Sequence, residues 1–146
     1  MNKILLGLVV LLSLFGCTAQ QSSTVAPAQA IADSVGIPVS DVTQTARHYE
    51  YDANGVKVRY FAVKGSDGEV RTAFDACEVC YRSNKGYTQV GNDMRCNNCG
   101  LSFNIDALGT KNQGKGCWPG YLPHKIVGDN VVIMKSYLEA GSYMFS

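Results

Sequence analysis

Cys77-Glu78-Val79-Cys80 and, after fifteen intervening residues, Cys96-Asn97-Asn98-Cys99-Gly100 form the stretch that decides how this chain is read. A Cys-x-x-Cys turn points two sulfurs at one place while nearby backbone N–H groups face them. Two such turns brought together make a tetrathiolate cage, which suits Zn²⁺, mononuclear iron or a [2Fe–2S] cluster. Gly100 allows the left-handed backbone that such turns often need, and Asn97 and Asn98 tolerate turn conformations. The surrounding segment, Cys77 to Cys117, is rich in Gly and Asn and has few periodic apolar stretches. A segment of that composition needs a cross-link or a metal to hold its shape.

Two other uses of these cysteines stay open. Structural disulfides are the ordinary expectation for an exported chain, but two Cys-x-x-Cys pairs are poor long-range staples. Thiol–disulfide catalysis would place one pair at the start of a helix after a strand. Cys117 lies farther on and reads as an additional ligand, a cluster contact, a gating thiol or a small buried apolar residue. His48 and His124 read as surface or packing residues before metal ligands. Trp118 reads equally as a shield for the site or a core anchor.

Upstream of the cysteines the pattern is β. Thr45 to Tyr51 alternates, Asn54-Gly55 is a strong hairpin signal, and Val56, Val58, Tyr60 and Ala62 alternate with Lys57, Arg59, Phe61 and Val63. After Ser66-Asp67-Gly68, Val70, Thr72 and Phe74 alternate with Glu69, Arg71 and Ala73. This predicts a three-strand antiparallel meander over about 44–75 that delivers the chain to Cys77. Downstream, Lys125–Val127 and Val131–Met134 flank the turn Gly128-Asp129-Asn130. Lys135–Ala140 reads as a helical turn or strand, and Ser142–Ser146 as an apolar end able to pair at a sheet edge. The expected fold is mainly β (α+β): an antiparallel meander with small helical turns and a Rieske-like or rubredoxin-like two-loop, four-cysteine metal site.

The N-terminus reads as an address. Met1-Asn2-Lys3 is a short positive region, and Ile4 to Phe15 is apolar except for Ser13. Twelve residues fall short of the about 20 needed to span a bilayer but suit a secretory signal. Leu14-Phe15-Gly16-Cys17 resembles a bacterial lipobox, which implies cleavage before Cys17 and lipidation of that residue, an anchoring stable against release when several acyl chains are attached. The expected division is a lipoprotein signal peptide at 1–16, a lipid-anchored flexible tether at 17–38 with a short amphipathic helix near 28–35, and a metal or Fe–S domain at 39–146. The expected location is the cell membrane or outer membrane, facing the periplasmic or extracellular side.

The 146 residues carry 13 basic and 12 acidic side chains and are 46% apolar, so one domain with a core is expected. A net charge of +1 argues against a nucleic-acid partner. Of the six cysteines, one is the expected anchor and five remain for the domain.

Two resemblances follow. Cys96-Asn97-Asn98-Cys99-Gly100-Leu101-Ser102-Phe103 resembles the second loop of the Rieske pattern with Cys in place of His, and Gly114-Lys115-Gly116-Cys117-Trp118-Pro119 stands where that pattern has its covering loop. Without His ligands, the high potential of His₂ ligation is not expected. The closer resemblance covers about 39–135. Asp67-Gly68, Ala73-Phe74-Asp75-Ala76-Cys77, Val79-Cys80-Tyr81, Gly86-Tyr87, Met94, Cys96-Asn97-Asn98-Cys99-Gly100, Phe103 and Gly116-Cys117 are similar to the FtrD-like membrane iron–sulfur family. That resemblance implies Cys77, Cys80, Cys96 and Cys99 as ligands and flags Cys117. It also implies a membrane-attached protein associated with high-affinity iron uptake through an oxidase-linked permease.

No hydrolase motif, P-loop or dinucleotide fingerprint is present. The expectation is therefore an electron carrier or metal-binding protein rather than an enzyme. Its cofactor would be an iron–sulfur cluster, [2Fe–2S] first, or mononuclear iron, with membrane redox or iron-uptake proteins as partners. The alternatives are a binding module held by a tetrathiolate zinc site, or a protein that acquires iron or copper. A low-polarity rim of Tyr81, Tyr87, Met94, Leu101 and Phe103 is expected around the site.

Overall fold

The computed structural model describes residues 32–114 and 116–146. The expected signal peptide, the lipobox with Cys17 and most of the tether lie outside the described residues.

Among the described residues there are three antiparallel sheets, two of them packed on opposite faces of a central one. Its strands are β2 (Arg47–Ala53), β3 (Val56–Lys64), β4 (Val70–Cys77) and β8 (Pro119–Tyr121), in the order β2-β3-β4-β8. The β2–β3 hairpin closes as its sequence predicts. Asn54 and Gly55 both take positive φ, the requirement of a two-residue hairpin turn, and Asp52 Oδ1 accepts the Gly55 N–H at 2.6 Å. Tyr49 and Tyr60 pair directly across the strands with stacked rings 5.5 Å apart.

Alternation along β3 sends Val58, Tyr60 and Ala62 to one face and Phe61 and Val63 to the other, and all five are buried. The first face packs against β1 (Ser34–Pro38), β10 (Asn130–Met134) and the short α-helix α1 (Lys135–Ala140), through Ile37, Val131, Ile133 and Leu138. The other face packs against the small sheet β5 (Tyr87–Val90), β6 (Asp93–Cys96) and β7 (Ser102–Asn104), through Met94, Ile105 and Leu108. The remaining strand, β9 (Lys125–Val127), completes the order β1-β10-β9. The fold is mainly β, as the alternation predicts.

Three local expectations are corrected. The tether does not extend to 38: Ser34–Pro38 pairs with β10 along its whole length. Burial of Ile37 among the core residues of the first face accounts for this, and a helix reaching Val35 does not form. Ser142–Ser146 is not an edge strand. Ser142–Met144 is a 3-10 turn that buries Met144. Finally, the glycine- and asparagine-rich segment holds a three-stranded sheet with its own buried residues, so packing shares the task that a cross-link or metal was expected to carry alone.

Candidate metal centre

The cysteines arrive on three separate pieces of chain. Cys77 ends β4, and the turn after it carries Cys80, whose N–H points at the Cys77 sulfur at 3.4 Å. Cys96 ends β6. The turn back to β7 is closed by Cys96 N–H to Leu101 O at 2.8 Å and Gly100 N–H to Cys96 O at 2.9 Å, and it presents Cys99. Gly100 takes φ +76°, the backbone its position in the motif predicts. Cys117 is brought in by β8, because Cys77 pairs with Pro119 across the β4–β8 ladder. The Glu78 N–H to Trp118 O hydrogen bond, 3.0 Å, ties that segment to the first cysteine turn.

All five sulfurs converge. Cys77, Cys80 and Cys117 lie mutually within 4.8 Å, as do Cys80, Cys96 and Cys99, so Cys80 belongs to both groups. Cys80 and Cys96 are 3.7 Å apart and Cys99 and Cys117 are 3.4 Å apart. Every one is a free thiol, since a disulfide needs about 2.05 Å. The thiol-exchange alternative also lacks its scaffold: the first pair runs into a single 3-10 turn, Tyr81–Ser83, instead of a helix. Cys77 and Cys96 are buried, Cys80 and Cys117 half-buried, and Cys99 exposed.

The local electrostatics divide these thiols. Burial pushes Cys77 up, but the N–H groups of Cys80 and Val79 and the neighbouring Cys80 and Cys117 thiols outweigh it and bring it down to about 7. The Leu101 N–H lowers Cys99. Cys80 is pushed up to about 12 by burial and by Cys77 and Cys96, and Cys117 is raised by burial and by Cys77 and Cys99. Negative charge therefore gathers first on one cysteine from each pair, while Cys80 and Cys117 give up protons last. A soft divalent cation displaces those protons.

Behind the sulfurs lies a buried carboxylate. Asp75 shares the β4 face of Cys77, is 7% exposed, and accepts the Tyr87 N–H at 2.6 Å. Arg59 Nε lies 3.4 Å from it and His48 Nε2 3.9 Å. Burial raises its pKa, against the Tyr87 N–H, His48 and Arg59. Arg59 also donates to the Asn84 side chain at 2.7 Å, and Gly86 O accepts the Asn97 N–H at 3.0 Å. One carboxylate thus pins the segment between the two cysteine pairs. Gly86 sits at φ +65°, and a Cβ there would lie 2.5 Å from the Asp75 oxygens.

The expected rim is partly present. Tyr87 and Met94 are buried in the cysteine-side cluster and Phe103 packs against it, whereas Leu101 is exposed. Tyr81 is corrected: it packs with the opposite cluster, its ring edge-on to Tyr143. Trp118 packs against Phe103 at 5.2 Å and donates to Thr110 O at 3.2 Å, so it both shields and anchors. Neither histidine joins the cysteine groups. The hydroxyl of Thr72 has one proton, which goes to Leu122 O at 2.7 Å. His124 Nδ1, 2.9 Å from that hydroxyl, therefore carries a hydrogen and donates. The roles of Asp75 and Tyr87 are not legible in the sequence. The available signal is a carboxylate two residues before Cys77, on the same face of a strand.

A family model described as membrane iron-sulfur containing protein FtrD-like matches residues 41–145. The chain belongs to the FtrD-like family. No curated protein matches it. Membership and the cysteine cluster together support a metal-binding or iron–sulfur protein. The FtrD-like family is described as membrane-associated, and among the described residues no helix is long and apolar enough to cross a membrane. The donor set of this FtrD-like chain fits the group its family implies. Five soft thiols meet at one place, and the 3.7 Å Cys80–Cys96 separation is close to the about 3.8 Å edge of a tetrahedron with 2.3 Å metal–sulfur bonds.

Proposed function

We propose that this protein is a lipid-anchored, extracytoplasmic iron–sulfur electron carrier serving a membrane redox or iron-uptake system. The observation that carries this reading is the convergence of five sulfurs at a site whose rim, at Cys99, reaches solvent. Cys77, Cys80, Cys96 and Cys99 are the proposed ligands, with Cys117 as a contact. A bound iron–sulfur cluster, [2Fe–2S] or otherwise, or a single iron would take up and return one electron. The chain's part is to hold the thiolates, direct the Cys80, Val79 and Leu101 N–H groups at them, and bury the centre on one side beneath Tyr87, Met94 and Trp118 while Cys99 stays open to a partner.

The direct test is a visible and EPR spectrum with metal analysis on protein purified anaerobically from its native host. Visible thiolate-to-iron bands and an EPR signal on reduction are expected. A colourless protein with one tightly held zinc per chain overturns the electron-carrier reading. It would favour the second reading, a structural tetrathiolate zinc module, which the Cys80–Cys96 spacing also suits. Anchoring is proposed at Cys17, by resemblance to a lipobox. Cys17→Ala should move the protein from the membrane to the soluble fraction and abolish labelling by fatty acid. Retention in the membrane with label intact would refute that attachment.

A further inference from the structure

Cys99 and Cys117 come from different turns, yet their sulfurs stand 3.4 Å apart, closer than the 3.7 Å between Cys80 and Cys96. A disulfide bond is about 2.05 Å long, so joining the pair takes a closure of about 1.4 Å. The two sulfurs are also the ones that open space reaches. Cys99 is exposed and borders a cleft of about 500 Å³ with Thr88, Arg95 and Asn98. Cys117 borders a second cleft of about 430 Å³ with Phe103, Lys111 and Trp118. By contrast, Cys77, Cys80 and Cys96 share a pocket of only about 10 Å³, which is no more than one water needs. Cys96 touches the Cys99 cleft as well, but it is 2% exposed. The backbone around Cys117 is held in place: Gly116 O accepts from Asn112 Nδ2 at 2.8 Å, and Trp118 Nε1 donates to Thr110 O. Cys99, on its exposed turn, is the member with room to close the gap.

We propose that Cys99 and Cys117 are a reversible oxidation site, at which a hydroperoxide such as hydrogen peroxide makes a disulfide. Cys99 is the attacking thiol and Cys117 the resolving one. The Cys99 sulfur attacks one peroxide oxygen and the O–O bond breaks. The leaving oxygen takes the Cys99 proton and departs as water, and Cys99 becomes a sulfenic acid. The Cys117 sulfur then attacks the Cys99 sulfur and the S–O bond breaks. The departing hydroxide takes the Cys117 proton and leaves as a second water. The two thiols are oxidised by two electrons in all, and one hydrogen peroxide is reduced to two waters. A dithiol reverses the step by thiol–disulfide exchange. Cys117 is the one cysteine of the five outside the proposed ligand set, so the disulfide withdraws Cys99 and leaves Cys77, Cys80 and Cys96 in place. Without Cys117, more peroxide carries the sulfenic acid on to sulfinic acid, which thiols do not restore. The loss of a ligand rests on the metal-site reading, whichever metal is held; the disulfide itself does not.

The test treats the full-length protein, purified with its metal, with hydrogen peroxide, as wild type and as Cys117→Ala. Free thiols are then alkylated and the peptides mapped by mass spectrometry without reduction. Metal is counted before oxidation, after it, and after dithiothreitol with the metal resupplied, together with sulfide where a cluster is present. The wild type should show a Cys99–Cys117 linkage, lose metal in proportion to it and regain that metal on reduction. Cys117→Ala should carry sulfinic acid at Cys99 and fail to regain its metal. Peroxide attack on a bound cluster is common to both chains, so the difference between them reports the pair. A map with no linkage, or one that joins Cys77 to Cys80 or Cys96 to Cys99 and leaves Cys117 alkylated, overturns the proposal, as does equal recovery in the two chains. The wild-type map needs no variant and decides the question even where Cys117→Ala does not fold. Zinc in place of iron would sink the electron-carrier reading and leave this map as the judge of the Cys99–Cys117 pair.

Discussion

The Cys80 and Cys96 sulfurs stand 3.7 Å apart although fifteen residues separate them, and Cys80 is shared by both close cysteine groups. Replacing Cys80 should therefore damage the site more than replacing any other cysteine. Substituting a residue that merely supports a metal ligand already costs about 10–100-fold in affinity, and loss of a shared ligand costs more. Cys80→Ser is expected to lose its metal on purification and to melt at a lower temperature. Metal content and melting equal to wild type would refute the ligand assignment.

Cys117 gives a contrasting expectation. It reaches the cluster through the Cys77–Pro119 pairing and lies 3.4 Å from the Cys99 sulfur, but it belongs to neither Cys-x-x-Cys turn. Cys117→Ala should keep the metal, shift the visible spectrum, and lose about 1 kcal/mol of stability from the missing half-buried group. Metal analysis and denaturant unfolding check this. Loss of the metal would promote Cys117 to a ligand.

Asp75 holds the segment between the two cysteine pairs. Asp75→Ala leaves the Tyr87 N–H without its acceptor and Arg59 without its ion partner, which should cost about 1–3 kcal/mol for the stranded donor and loosen Cys96 through the Tyr87–Cys96 pairing. A urea midpoint unchanged from wild type would remove the clamp role. Gly86→Ala, which puts a Cβ against the same carboxylate at positive φ, should reproduce the loss.

His124 predicts an acid limb. Burial foremost, and then Arg71, lower its pKa in the folded protein, with Glu69 opposing. The unfolded chain, with an imidazole pKa near about 6.5, therefore takes up the proton first as the pH falls. This group costs nothing well above about pH 6.5 and weakens the fold as the pH drops through that value towards the lower folded pKa. His124→Asn, whose amide can still donate to Thr72, should flatten the decline between about pH 7 and pH 5 while keeping neutral stability. Parallel wild-type and variant curves over that range, with matched metal loading, would contradict it.

Local patterns carried much of this fold. The hairpin at Asn54-Gly55 and the meander strands follow from turn chemistry and period-two alternation, both properties of neighbouring residues. The two Cys-x-x-Cys turns were legible for the same reason, because a turn with Gly100 at positive φ needs no distant partner. Ser34–Pro38 was not legible as a strand: its pairing with β10 is made by residues about a hundred positions away.

Composition and short-range spacing alone establish the mainly β class and the two cysteine turns, because each is a property of residues near one another in the chain or of their totals. Three features needed the folded molecule: that Cys117 stands among the other four sulfurs, that Asp75 is a buried clamp, and that the Tyr87 hydroxyl is buried without a partner. Each depends on strands from separate parts of the chain meeting on one face of the central sheet, and no local pattern encodes that meeting.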